Sequence, residues 1–597
     1  MDGVNITIQS ESLQGIKGIV TNNKGHFSII NLPVGNYNVK ISFVGYRDVT
    51  VENVQIRLGK TTYLGEIKLE QQAISLPVVT ISGEKYIIDP TSTTYGGNLT
   101  SKDVENLPID RNYQSMISLL PQANLSYYGD GVNIGGSTGF ENKYFVDGVE
   151  VTDPLFGVFS TYLPYNFINE IEVKAGGYEA EFQSALGGVV NVVTNSGTNE
   201  FHTSVFGFYT SNSFTSHKEL GLLDPTQGDF SDYDVGFSLG GPIILDKLWF
   251  FAAYNPTYAN HNVSIPGFGI GIDKTLRHSF AGKLNWLASQ QLRINFTVTG
   301  DPTEREAVGR NVLNPPYALE NPDVYLQDIN EGGVNISMGG SYSFGQNILL
   351  EGSIARVIRH DTGEPSTEKG NDIRFDDWTT GTLAGGVGNR WDSYRYSNIA
   401  RVAITIPHNT HLSSIGIQYK VNGTNNQYDY HSIIKYNDTT YAEYIGKGFQ
   451  TVSQRMPSFF IQDSWKIFKD LRAFIGIRWD GQYIVGSNDK VEDAFVLSEN
   501  RFRTGNPGRG ILSDFPRPER NYKALIFIIE KHYDEHFNFQ ASYVLSKDYG
   551  NYEGLFDAFD HWEFPNINWS FDDLSNSWIN ATGLVPNDRT HVFKFSG

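Results

Sequence analysis

The chain has 597 residues, a formal net charge of −20 and no cysteine, with 61 Gly, 33 Tyr, 38 Phe and 9 Trp. The acidic balance excludes a nucleic-acid surface, which needs basic residues, and the missing cysteine excludes disulfides, thiolate zinc sites and cysteine nucleophiles. Mean hydropathy is −0.32 and no run of about 18 apolar residues occurs, so no membrane-crossing helix is predicted; alternating strands would hide their apolar face in such an average.

Met1-Asp2-Gly3 leads straight into strand-like sequence, without the basic and apolar regions of a signal peptide. Residues 1–72 predict a small β-sandwich. Val4, Ile6 and Ile8 alternate, Asn22-Asn23-Lys24-Gly25 and Pro33-Val34-Gly35-Asn36 read as turns, and Tyr37, Val39, Ile41 and Phe43 share one face. The runs Gly25-His26-Phe27, Leu32 to Tyr37 and Phe43-Val44-Gly45-Tyr46 resemble the carboxypeptidase regulatory-like domain, a transthyretin-like sandwich, without the strand with which that family normally begins.

Residues 73–100 predict a linker, broken by Pro77, Gly83, Pro90 and Gly96-Gly97. Inside it Val78-Val79-Thr80-Ile81 is extended and apolar, a segment able to add itself to the edge of another protein's sheet. It reads equally well as the last strand of the sandwich or as plain linker.

Residues 101–200 predict a compact α/β unit. A helix is expected within Ser101–Leu120, capped by Asp110, with Met116, Leu119 and Leu120 on its apolar face. Tyr144-Phe145-Val146-Asp147-Gly148-Val149 reads as strand, turn, strand, with Asp-Gly supplying positive φ. A further strand is expected over Gly187–Thr194. In this order the motifs resemble the plug domain of TonB-dependent outer-membrane receptors.

From residue 201 the chain alternates over long stretches. Tyr233, Val235, Phe237 and Leu239 interleave with Asp234, Gly236, Ser238 and Gly240; Leu292, Ile294, Phe296 and Val298 interleave with Arg293, Asn295, Thr297 and Thr299. Period alone does not say whether the apolar face meets a protein core or lipid. The number of long strands, the polar loops and the aromatic excess favour an antiparallel transmembrane β-barrel over residues 201–597. Gly240-Gly241-Pro242-Ile243, Gln462-Asp463-Ser464-Trp465 and Gly476-Ile477-Arg478-Trp479-Asp480 resemble receptor barrel strands, and Asp588-Arg589-Thr590-His591-Val592-Phe593 is similar to the later barrel of the Oar-like subgroup. About 14 to 16 strands are legible, against about 22 in receptors of this kind. With the end at Phe595-Ser596-Gly597, in mid-strand, this predicts a truncated chain and an incomplete barrel.

Catalytic signatures are weak. Gly236-Phe237-Ser238-Leu239-Gly240 matches a nucleophile elbow, but Ser238 sits inside an alternating strand, where no strand-to-helix turn would expose it. The 13 histidines lack metal-ligand spacing, and no cofactor motif is found. Asp376-Asp377 and Asp572-Asp573 read most simply as solvated loop charges, with calcium binding the alternative. No enzyme is expected.

The resemblance implies active import of a nutrient across the outer membrane of a Gram-negative bacterium, with the N-terminal domains periplasmic or inside the barrel. It implies a TonB-type energy-transducing partner contacting Val78, Val79, Thr80 and Ile81. It also implies a small-molecule, oligosaccharide or peptide ligand at the extracellular mouth, for which Tyr127, Tyr128 and Asp130 are candidates, although the same loop reads more simply as packed, structural sequence. Outer-membrane lipid and a surface lipoprotein are further expected partners, and nucleic acid is not. A non-transporting binding or adhesion protein, or a degraded receptor fragment, is the alternative.

Overall fold

The computed structural model describes residues 1–597 apart from 14, 30–31, 61, 63, 72–78, 83–94, 106, 108, 126–130, 155–156, 158, 160, 183–184, 215–228, 266, 310–317, 346–347, 409, 469–470, 486–519, 532–538, 551–582, 585–587 and 597. The first sheet contains β1 (Asn5–Ser10), β2 (Gly15–Val20), β3 (Gly35–Ser42), β4 (Val49–Ile56) and β5 (Val79–Ser82), in the order β2-β1-β3-β4-β5. Val4, Ile6, Ile8, Tyr37, Val39 and Ile41 all enter one buried cluster. Full burial of each such side chain is worth roughly 1.5–3 kcal/mol. The sheet also recruits a strand from the predicted linker: β5 lies parallel to β4, with Val79, Thr80 and Ile81 opposite Val49, Thr50 and Val51.

The second unit contains β6 (Tyr95–Thr100), α1 (Ser101–Val104), α2 (Tyr113–Ile117), β7 (Ala123–Leu125), β8 (Val132–Ile134), β9 (Lys143–Val146), β10 (Val149–Glu150), β11 (Ile168–Gly176) and β12 (Val189–Thr194). Its main sheet runs β10-β9-β12-β11-β6, with β9 and β12 parallel. Met116, Ile117, Phe167, Ile171 and Val190 are among its fully buried core. The single expected helix is instead two short ones, and Asp110 does not cap either. The Asn112 side chain accepts the Ser115 N–H at 2.9 Å. A cap serves only the N–H groups two or three positions ahead, and with the helix starting at Tyr113 that places it at 112. The Asp147-Gly148 turn has the expected positive φ at both residues, 47° and 82°.

The third unit begins with β13 (His202–Ser211), β14 (Phe230–Ile244), β15 (Leu248–Ile265), β16 (Gly269–Leu287) and β17 (Leu292–Gly300). These open a 17-stranded sheet that continues to Tyr483–Val485, and a separate 4-stranded sheet covers Arg520–Lys531 to His591–Ser596. The described ladder exceeds the 14 to 16 strands expected because it includes pieces as short as Ala318–Leu319, which carry no alternation to read. Ser238 lies within β14, paired to Ser204 and Ala253 on its two sides, so no elbow forms there.

The two faces of this sheet are inverted relative to a soluble protein. Val235, Phe237, Ile415, Ile417, Ile475 and Ile477 are exposed, Ile417 at 60% and Ile477 at 69%. The alternate positions, among them Thr297, Thr299, Gln418, Lys420 and Asn422, are polar and buried. In water such an arrangement would forgo the burial of every strand's apolar face, whereas in a bilayer that face meets hydrocarbon and the polar one lines the lumen. The protein is therefore mainly β: a sandwich, an α/β unit and a large antiparallel membrane sheet.

Candidate functional site: the plug against the barrel wall

What fills the polar lumen is the α/β unit, and charged side chains join the two. The carboxylate of Asp147, at the β9–β10 turn, accepts Lys283 Nζ at 2.8 Å, Thr297 Oγ1 at 3.2 Å and Thr194 Oγ1 at 2.6 Å. Glu150, on β10, accepts Lys420 Nζ at 2.9 Å and faces Lys143 Nζ at 3.4 Å. Arg395 is 2% exposed. Its Nε donates to Asp153 at 3.2 Å, its Nη1 to Ser393 Oγ at 2.6 Å, and its Nη2 to Asp361. Arg401 donates to Glu181 at 2.7 Å, and Arg520 to Glu141 at 2.7 Å.

The pattern is directional. Anions of the plug meet cations carried at inward positions of the barrel strands. Among the described residues one pair reverses it: Arg111 of the plug lies 3.3 Å from Asp234, its guanidinium 3.6 Å over the Phe208 ring. Burial alone would push Glu150 up, yet Lys420 and Lys143 outweigh it and hold the carboxyl down at about 2. Removing one partner of such a buried pair costs about 3–5 kcal/mol. The contacts therefore seat the plug firmly against the wall.

The hairpin β7–β8 is held from the wall as well. Lys594 Nζ donates to the carbonyls of Ser118 (2.6 Å), Leu120 (2.7 Å) and Ala123, and Arg589 Nη2 donates to Leu125 O at 3.1 Å. A small polar cleft lies beside it, lined by Asn124, Asn133 and Ser137 of the plug and by Tyr522, Ser546 and Arg589 of the wall.

Among the residues singled out from sequence, Val79, Thr80 and Ile81 form β5 at the edge of the sandwich sheet, whereas Val78 lies outside the described residues. Tyr127, Tyr128 and Asp130 also lie outside them, between the described strands β7 and β8. Asp376 and Asp377 are engaged by Arg374 Nε (2.5 Å) and by Lys435 Nζ (3.1 Å). Sequence reading missed Lys283, Arg395 and Lys420. The available signal was a cation in the polar phase of an alternating strand, as in Ile417-Gln418-Tyr419-Lys420.

Comparison with known proteins agrees with this architecture. Residues 1–70 match the carboxypeptidase regulatory-like domain, and residues 193–266 match an outer membrane β-barrel domain. The TonB-dependent transporter Oar of Myxococcus xanthus is 31% identical over 353 residues, 52% of this chain and 33% of its own length. This chain is a homologue of TonB-dependent transporters. The homology extends to the probable TonB-dependent siderophore receptor PirA of Acinetobacter baumannii, 23% identical over 445 residues, 67% of this chain and 55% of the relative. The homologue thus spans a third of the length of Oar and about half that of PirA. Its fold is that of the solved siderophore receptor PirA (TM-score 0.51, 16% identity, 76% of this chain and 61% of that one). It is likewise that of the outer membrane transporter YddB from Escherichia coli (TM-score 0.54, 13% identity, 76% and 69%). It is an outer-membrane protein. Its relatives are transporters and receptors rather than enzymes.

Proposed function

We propose that the protein imports a nutrient across the outer membrane, energised by a TonB-type partner. The observation that carries this reading is the plug held in the lumen by separable ion pairs, Lys283–Asp147, Arg395–Asp153 and Lys420–Glu150. A permanent stopper would need no charges there, since apolar packing of equal volume is commonly as stable or more so. Ligand enters from the mouth and meets the segment carrying Tyr127, Tyr128 and Asp130. The TonB-type partner takes hold of Val78–Ile81 by strand addition, and displacement of the plug opens the path. The domain limits 1–72, 73–100, 101–200 and 201–597 belong to this proposal, with β5 able to exchange between the sandwich edge and the partner. A ferric siderophore is the first ligand class to test, on the strength of PirA's description. The test is uptake of iron-loaded siderophores, with oligosaccharides and peptides as further arms, in cells with and without TonB. Accumulation that requires both this protein and TonB supports the reading. Accumulation indifferent to TonB overturns it.

A further inference from the structure

The N-terminal sandwich is more than an appendage on the linker, because it touches the plug at the strand nearest the site of pulling. Its turn Arg57-Leu58-Gly59-Lys60, which follows β4, lies on the polar face of β11. There Glu170, Glu172 and Lys174 project, each no more than 3% exposed. Asn98 of β6 joins the two domains: its Nδ2 donates to Leu58 O at 3.1 Å and to Glu170 Oε1 at 2.6 Å. The Leu58 N–H donates to the same Glu170 carboxylate, with Arg57 nearby. Gly59, at φ +63°, is so close to Glu172 that any side chain there would collide with its carboxylate. A second contact reaches the barrel, where Arg293 Nη2 donates to Leu13 O at 3.3 Å. Arg293 stands just after the tight turn at Ser289–Gln291, at the end of the barrel where strands are joined by short turns, which is the periplasmic end in outer-membrane barrels.

These contacts are arranged along the chain in a telling way. Among the described residues β6 is the edge strand of the plug sheet, paired to β11 alone. β5 is the edge strand of the sandwich. A pull on the segment between them loads both edges, and Asn98 ties β6 to the 57–60 turn, which follows β4, the strand on which β5 lies. We infer that the N-terminal sandwich is a latch: docked through Arg57–Lys60 over Glu170 and Glu172, it holds β6 on the plug, and it must leave before the plug opens. Strands at an edge peel one bond pair at a time, so a clamp across β6 raises the threshold for peeling. The latch rests on the transport reading for its purpose but not for its existence.

The test exploits a chain with no native cysteine. The full-length protein carrying Gly59→Cys and Glu172→Cys is placed in a planar bilayer, and potassium chloride conductance is followed as urea loosens the plug. Oxidation is expected to close the pair and lower the open probability at a fixed urea concentration several-fold, with dithiothreitol restoring it. Asn98→Ala, free of any cysteine strain, is expected to open at lower urea than the native protein. Thr7→Cys with Lys40→Cys, opposite one another on β1 and β3, staples the sandwich to itself and is expected to change nothing. Equal opening for oxidised, reduced and Asn98→Ala proteins overturns the latch, and so does an equal shift from the control pair. A protein that never conducts at any urea concentration overturns the transport reading instead.

Discussion

Lys283 Nζ and Asp147 Oδ1 meet at 2.8 Å across the boundary between barrel and plug, both almost fully buried at 8% and 5% side-chain exposure. Lys283 reaches in from β16, and Asp147 occupies the turn that the sequence marks as Asp-Gly. The same lysine donates to Thr194 O at 3.3 Å and Oγ1 at 3.2 Å, so one ammonium fastens both the β9–β10 turn and the end of β12. Asp147→Asn removes the charge while keeping the shape. It is expected to weaken plug seating by about 3 kcal/mol, because a buried ammonium then lacks its counter-charge. Asp147→Asn with Lys283→Met is expected to recover part of that loss. Hydrogen exchange of β12 in the two single variants and the double variant measures the coupling; additive losses would contradict it.

The Glu150–Lys420 pair sets an acid limit. Glu150 is held down at about 2 in the folded protein and returns to an ordinary carboxylate value when released. A depressed value means that the pair's contribution is present above the released value, near pH 4.5, and disappears as pH falls toward 2. Plug exchange protection around β10 is therefore expected to be flat near neutrality and to drop below about pH 4. In Glu150→Gln that acid step is expected to be absent.

Glu170 titrates in the opposite sense. Burial pushes its carboxyl up to about 7, against the hydrogen bonds from Asn98 and Leu58 and the charge of Arg57, with Glu172 adding to the rise. A raised value means that docking of the sandwich is tightest below the released value and weakens as pH climbs through about 7. Exchange at Arg57–Lys60 is expected to rise across pH 5 to about 8 beyond its intrinsic pH dependence, and Glu170→Gln is expected to remove the excess. A constant excess in both proteins would contradict the docking geometry.

The amino-acid pattern made some of this legible and concealed the rest for identifiable reasons. The alternation of Tyr233, Val235, Phe237 and Leu239 marks a strand, and the structure keeps that strand. Its period is the same whether those side chains meet lipid or a core, so the period alone did not orient the face; the number of long strands and the aromatic excess did. The extended character of Val79–Ile81 was readable, but its parallel pairing with Val49–Val51 was not, since nothing local encodes a partner about thirty residues away. Asn112 and Asp110 are both good caps by residue type, and only the helix start at Tyr113 separates them. Lys420 and Glu150 are 270 positions apart, and only the packing of the plug against the wall brings them together.

The orientation of the barrel face has its own test. Ile417 is 60% exposed on the outer face and Gln418, beside it, is 9% exposed toward the lumen. Ile417→Lys is expected to cost about 2–4 kcal/mol of folding stability in lipid vesicles, as for a cation near the bilayer midplane. Ile417→Leu is expected to be nearly neutral. Urea titration of vesicle-folded protein, read by tryptophan fluorescence, supplies both numbers. An Ile417→Lys variant as stable as Ile417→Leu would place that face in water.

Coupling through the linker is the claim on which the account depends most, and deletion of residues 77–83 addresses it directly. The variant lacks β5 but retains the plug and its ion pairs with the wall. Cells expressing it should bind an iron-loaded siderophore, or whichever nutrient the uptake screen returns, as tightly as native cells do, while accumulating none inside. Uptake at the native rate would contradict the account.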